Sequence, residues 1–289
     1  MTKEGYVEVE GGRVWYKIAG NESNAIPLIV LHGGPGSSHL SMEPLSALQN
    51  ERPVVFYDQL GCGNADRPQN PSLWNIEHFV RELAQVRQSL GLEQVHILGH
   101  SWGTMLLADY LFTRPVGVAS VIFSSPCLSA KRWIQDATRF RSELPADIQA
   151  ALTAGEIHGA TDSDAYRQAE QVYLSRHGCR VEISQEQRDR RNAAFGVEVY
   201  NTMWGPSEFI ATGNLKEYDA TGQLPDLTIP SLFTCGHYDE ASPESTEYYH
   251  SLVPGSQFHV FDKSSHTPQL EQPADYLRVL RDFLTRSDA

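Results

Sequence analysis

Apolar positions recur along this chain in two different periods. Between residues 6 and 18, Val7 and Val9, then Val14, Tyr16 and Ile18, occupy every second position on either side of Gly11-Gly12. That alternation predicts a hairpin at the start of a sheet. Pro27-Leu-Ile-Val-Leu31 and Pro53-Val-Val-Phe-Tyr57 are short unbroken apolar runs that end in Gly- or Asp-rich turns, as strands covered on both faces do. From 76 to 90 the period lengthens. Ile76, Phe79, Val80, Leu83, Val86 and Leu90 fall on one helical face, and Asn75 stands where an N-cap belongs. A strand at 95–98, an apolar helix from about 102 to 113 halted by Pro115, and a strand at 118–123 follow. Strand and helix alternate, which predicts a mostly parallel sheet with helices on both faces.

The pattern breaks near Ser125. Roughly 90 residues follow that are charged, Gln-rich and helical in spacing. Strand character returns at Pro230-Ser-Leu-Phe-Thr-Cys235, followed by a helix from Pro243, a strand at 257–261 and a helix from Pro273 to Leu284. The expected organisation is an α/β core formed by 1–125 and 221–289, interrupted by an all-helical cap over 126–220. Ligands of such sheets bind beyond the carboxyl ends of the strands, so an insertion leaving that edge is a candidate lid.

With 289 residues the chain can bury a full core, and its net charge of −13 argues against an electrostatic nucleic-acid partner or an anionic membrane surface. No apolar run approaches the ~18 residues needed to span a bilayer. The start, Met1-Thr-Lys-Glu-Gly-Tyr, has no apolar signal region. Cys62, Cys127, Cys179 and Cys235 form no metal-ligand spacing and read as free thiols. A cytoplasmic protein with no metal or organic cofactor is expected.

Gly99-His-Ser101-Trp-Gly103 carries the pattern G-x-S-x-G between an apolar strand and an apolar helix. This is the strand–turn–helix context of a nucleophile elbow. The turn is tight enough to require the flanking glycines, and it sets the Ser101 hydroxyl at a helix N-terminus, where negative charge is favoured. A serine nucleophile needs a base, and the base an orienting acid, here expected in the order Ser, Asp, His. Of His237, His250, His259 and His266, only His266 lies in a loop just past the last strand, Lys263-Ser-Ser-His-Thr-Pro268. Asp239 follows a strand end, whereas Asp226 precedes its strand and Asp262 is too near His266 in sequence to come from a separate strand end. His32-Gly-Gly-Pro-Gly36 follows the strand ending at Leu31, which assigns the backbone N–H groups of Gly34 and Trp102 to an oxyanion hole. Cys62, flanked by Gly61 and Gly63, is the one rival nucleophile. A serine at the elbow argues against epoxide hydrolases and haloalkane dehalogenases, which want aspartate there.

These segments, together with Asp58-Gln-Leu-Gly-Cys-Gly63, Gly205-Pro-Ser-Glu-Phe209 and Gly236-His-Tyr-Asp-Glu240, resemble the proline iminopeptidase family of α/β-hydrolase serine peptidases, including the tricorn-interacting aminopeptidases. The resemblance implies an α/β-hydrolase fold and the triad Ser101, Asp239 and His266. It implies that Glu208 and Glu240 bind the free amino group of a substrate, which suits an ammonium buried among carboxylates. The implied substrate is a small peptide with N-terminal proline, cleaved through an acyl-enzyme. An L-amino-acid amidase or amino-acid ester hydrolase with the same triad is the alternative, and a poorly active hydrolase-like receptor a remote third. Two departures stand out: Asn64-Ala65 replace the usual Arg-Ser, and Trp204 precedes Gly205, where it would narrow the pocket or wall a proline ring.

Overall fold

A computed structural model describes residues 2–20 and 25–288. Met1 and Ala289, which bound the expected core segments, fall outside the described residues. Strands β1 (Thr2–Val9) and β2 (Gly12–Ala19) form the expected hairpin, Val9 pairing with Gly12. Gly11 takes φ +94° in its turn, a value glycine adopts without a steric penalty. There follow β3 (Leu28–Leu31), β4 (Val54–Asp58), α1 (Ile76–Ser89), β5 (Val95–His100), α2 (Trp102–Phe112) and β6 (Val118–Ser124). Asn75 does cap α1, its side chain accepting from the His78 N–H at 2.9 Å.

Five helices come next: α3 (Ala130–Ser142), α4 (Ala146–Ile157), α5 (Asp164–His177), α6 (Gln185–Ala194) and α7 (Val197–Met203). The chain then returns through β7 (Ser231–Gly236), α8 (Pro243–Leu252), β8 (Gln257–Phe261), the short α9 (Pro268–Glu271) and α10 (Pro273–Ser287). Helix α9 and the 3-10 turns at 39–41 and 43–48 have no apolar periodicity that would have announced them.

The eight strands lie in the order β1-β2-β4-β3-β5-β6-β7-β8. Among the described strands the β1–β2 and β2–β4 pairs are antiparallel and the others parallel. The unbroken apolar runs are explained by burial on both faces. Ile29 and Leu31 join α1 and α2 on one side, while Leu28 and Val30 join α10 on the other. Helices α3 to α5 have a small core of their own around Phe140, Leu152, Tyr166 and Tyr173. Met203 and Trp204 of the inserted segment pack instead onto the main core. Among the described residues no helix is long and apolar enough to cross a membrane.

Because β4, β3 and β5 are adjacent and parallel, the residues just past their carboxyl ends, Gln59, His32 and Ser101, meet at one edge. The loops after β7 and β8 bring Asp239 and His266 to the same edge.

Candidate active site

Ser101 joins β5 to α2 with φ +56° and ψ −122°, outside the regions that a β-carbon normally allows. The elbow is this tight because its neighbours are glycine. A β-carbon on Gly99 would collide with the Gly103 carbonyl, and one on Gly103 would lie 2.5 Å from the Leu31 oxygen and 2.9 Å from the His32 oxygen. The Ser101 N–H donates to the Ser124 carbonyl at 3.1 Å, and its own carbonyl accepts from the Thr104 N–H at 2.8 Å.

His266 and Asp239 are joined by a 2.7 Å hydrogen bond between Nδ1 and Oδ1. Asp239 is wholly buried and also accepts from the backbone N–H groups of Ala241 (2.8 Å) and Gly236 (3.2 Å). An acceptor at Nδ1 requires the proton there, which leaves Nε2 of the neutral ring free to take one. Burial opposes charge on His266, but Asp239, Glu240 and Glu208 outweigh it, and the pKa is raised to about 9. His100 behaves oppositely. Burial and the neighbouring His266 push it down to about 3, and its neutral ring donates from Nε2 to the His266 carbonyl at 2.8 Å.

Ser101, His266, Gly34, Glu208 and Glu240 line one cleft of about 680 Å³. A narrow apolar compartment opens beside it, walled by Met105, Trp133, Trp204 and Leu215 and also touching Gly34, Ser101 and Trp102. Glu240 Oε1 is 3.9 Å from His266 Nε2, and its Oε2 is buried with no partner. Glu208 accepts a 2.6 Å hydrogen bond from the Tyr200 hydroxyl. Burial raises the pKa of both glutamates, and mutual repulsion raises Glu240 further. Two such carboxylates in one dry corner make an incomplete cluster that a cation would complete.

The structure therefore gathers all eight sequence-derived site residues, Trp204 included, at one place. It also adds two groups, a side chain and a main-chain carbonyl, that no sequence pattern marked. Trp133 of α3 stands edge-on to His266, with ring centres 5.5 Å apart. The His177 carbonyl, at the end of α5, accepts from the N–H groups of His266 (3.1 Å) and Glu240 (3.3 Å), tying the inserted helices to the loops that carry His266 and Asp239. No spacing in the sequence marks either residue. Cys62 is buried, which pushes its thiol well above the ordinary range; it donates to the Gln59 carbonyl at 3.1 Å and lines neither pocket.

A profile for the alpha/beta hydrolase fold matches residues 26–273. A proline iminopeptidase of Heyndrickxia coagulans is 52% identical over 98% of this chain and 99% of its own length. Among solved structures, a proline iminopeptidase of Mycobacterium smegmatis superposes with a TM-score of 0.90 at 35% identity, covering 99% of both chains. VinJ superposes with a TM-score of 0.94 at 32% identity over 98% of both chains.

Proposed function

This chain belongs to the α/β-hydrolase family and, within it, to the proline iminopeptidases; from that premise we propose how its cleft releases an N-terminal proline from a small peptide. The enzyme is a serine hydrolase. Ser101 Oγ attacks the scissile carbonyl while His266 Nε2 takes its proton, and Asp239 holds the imidazole in the tautomer that leaves Nε2 free. The oxyanion is received by the N–H groups of Gly34 and Trp102. His266 returns the proton to the leaving amine, and water then hydrolyses the acyl-enzyme by the same steps.

Glu208 and Glu240 receive the substrate's secondary ammonium and so set the carbonyl over Ser101. Trp204, with Trp133, closes around the pyrrolidine ring. Residues 126–220 act as a cap, held to the triad loops through the His177 carbonyl. The four free thiols support a reducing, cytoplasmic setting.

The observation that carries this reading is the buried glutamate pair facing the same cleft as Ser101 and His266. The name borne by the relatives favours a peptidase over an amidase or ester hydrolase. The test is kcat/KM on proline p-nitroanilide, its N-acetyl derivative, prolinamide and a proline ester. The free-amine anilide should be cleaved far faster than the acetylated one, and Glu208→Gln should narrow that gap. Rapid cleavage of the acetylated substrate would leave a general esterase instead.

A further inference from the structure

The segment from the last residue of β4, Asp58, to Gly63 contributes neither the triad nor the carboxylate pair, yet its second residue bonds both to His32, at the start of the loop that carries Gly34, and to the side chain of Trp102. Gln59 is 1% exposed. Its side-chain oxygen accepts from the Trp102 indole N–H at 2.8 Å. Its side-chain amide donates to the His32 carbonyl at 3.3 Å, and its backbone N–H donates to His32 Nε2 at 3.1 Å. That last bond settles the tautomer of His32. Nε2 accepts, so Nδ1 carries the proton and donates to the Gly33 carbonyl at 2.9 Å. Burial lowers the His32 pKa, which keeps the ring neutral.

The consequence lies in a single peptide plane. The carbonyl of the Gly33–Gly34 peptide is held by His32 at 2.9 Å and by the Ser37 N–H at 3.3 Å, and the N–H on the opposite edge of that rigid plane is the Gly34 donor. Fixing the oxygen therefore aims the N–H. Asp58 secures the start of the same segment, accepting from His39 Nδ1 at 2.8 Å and from the Asn64 N–H at 2.9 Å. Gln59 is thus tied to a rigid strand end and spans from the Gly34 loop to the residue after the nucleophile.

We infer that Gln59 is a positioning residue. Through His32 on one side and the Trp102 indole on the other, it sets the relative orientation of the two oxyanion donors. The inference rests on the assignment of Gly34 and Trp102 as those donors.

Gln59→Leu keeps the shape and the backbone bond to His32 Nε2 and removes the two side-chain bonds, to the His32 carbonyl and the Trp102 indole, so it tests the side chain's share of the positioning. On proline p-nitroanilide its kcat should fall about 10- to 100-fold, less than the 10²–10³ for outright loss of a donor, while KM stays within about threefold. Pyrrolidine-2-boronic acid, whose tetrahedral serine adduct places an oxygen in the hole, should lose affinity in parallel. Prolinol, which offers the amine but no carbonyl, should bind as before. Rates are normalised to active sites titrated with a fluorophosphonate. Trp102→Phe deletes the indole bond from the other end but keeps the Trp102 position's backbone N–H. It should show the same split and add little to Gln59→Leu, and it carries the test alone if Gln59→Leu fails to fold.

Unchanged kcat and boronate affinity, or prolinol weakened as much as the boronate, would overturn the inference. Amide NMR of the wild type with the boronate separates the two levels. If the Gly34 and Trp102 N–H resonances move downfield while Gln59→Leu keeps its kcat, only the positioning role fails. If neither resonance moves, the oxyanion assignment fails and the inference falls with it.

Discussion

Replacing Glu240 with Gln should make the enzyme slower on prolyl substrates and faster on an ester that has no amine. Glu240 Oε1 lies 3.9 Å from His266 Nε2, the atom that must be unprotonated to activate Ser101. At that separation a full carboxylate charge favours the imidazolium by about 4 kcal/mol at an effective dielectric of about 20, or about three pKa units. Burial and Glu208 raise the Glu240 pKa to about 8, so this pull is small at pH 7, where most of the group is protonated, and approaches that ceiling only above about pH 8. Glu208 also ionises more readily once its neighbour is neutral, which restores part of the pull. A net fall of about one unit is therefore expected. Asp239 remains in place, and His100, with its pKa at about 3, stays uncharged throughout.

The sign follows from the protonation state of the base. With His266 at about 9, about a quarter of the free enzyme has a neutral imidazole at pH 8.5, where most of Glu240 is ionised, and a pKa of about 8 raises this to about three quarters. The kcat/KM of Glu240→Gln on p-nitrophenyl acetate at pH 8.5 should accordingly rise about threefold, with the acid limb of its pH profile displaced to lower pH. On proline p-nitroanilide the same variant loses the ammonium partner and should fall. In the wild type the bound ammonium neutralises the glutamates, so the acid limb of kcat on the prolyl substrate should lie below that of kcat/KM on the acetate. The assay is a pH–rate series from 6 to 10 on both substrates. An acid limb that stays fixed or moves up in Glu240→Gln, or equal losses on both substrates, would refute the electrostatic argument.

Ser101→Ala should abolish both turnover and the single fluorophosphonate adduct seen by mass spectrometry; label persisting elsewhere would move the nucleophile. Asp239→Asn should keep the fold, by circular dichroism, and lower kcat by about 10⁴ by stabilising the wrong His266 tautomer, whereas Asp262→Asn should be nearly silent. Gly103→Ala drives a β-carbon to 2.5 Å from the Leu31 carbonyl, a backbone atom that cannot step aside, and should destabilise the fold by about 1–3 kcal/mol, read as a lower thermal midpoint.

Local pattern was enough to read the strands, the principal helices and the three residues proposed as the triad. A buried parallel strand needs an apolar run whatever surrounds it, and an elbow needs Gly99 and Gly103 because their β-carbons would strike backbone only a few residues or one strand away. Asp239 and His266 were legible because each stands in the loop just past a late strand, a position that alone brings a side chain over the sheet edge. Glu208 and Glu240 were legible only by resemblance, since an isolated glutamate in a helical segment reads as a solvated charge. Their burial, their mutual repulsion and their closeness to His266 exist only once the inserted helices fold back over the strand ends. The same holds for Trp133 and the His177 carbonyl, which act across that boundary. Gln59 sat in a recognisable motif, yet its role depends on the strand order β4-β3-β5. That order places the end of β3 between its neighbours and lets one amide reach His32 and Trp102 together. Periodicity is a property of neighbours in sequence and survives in the bare chain. Strand order, and the charges it crowds together, follow from which buried faces pack best, and only the folded chain decides that.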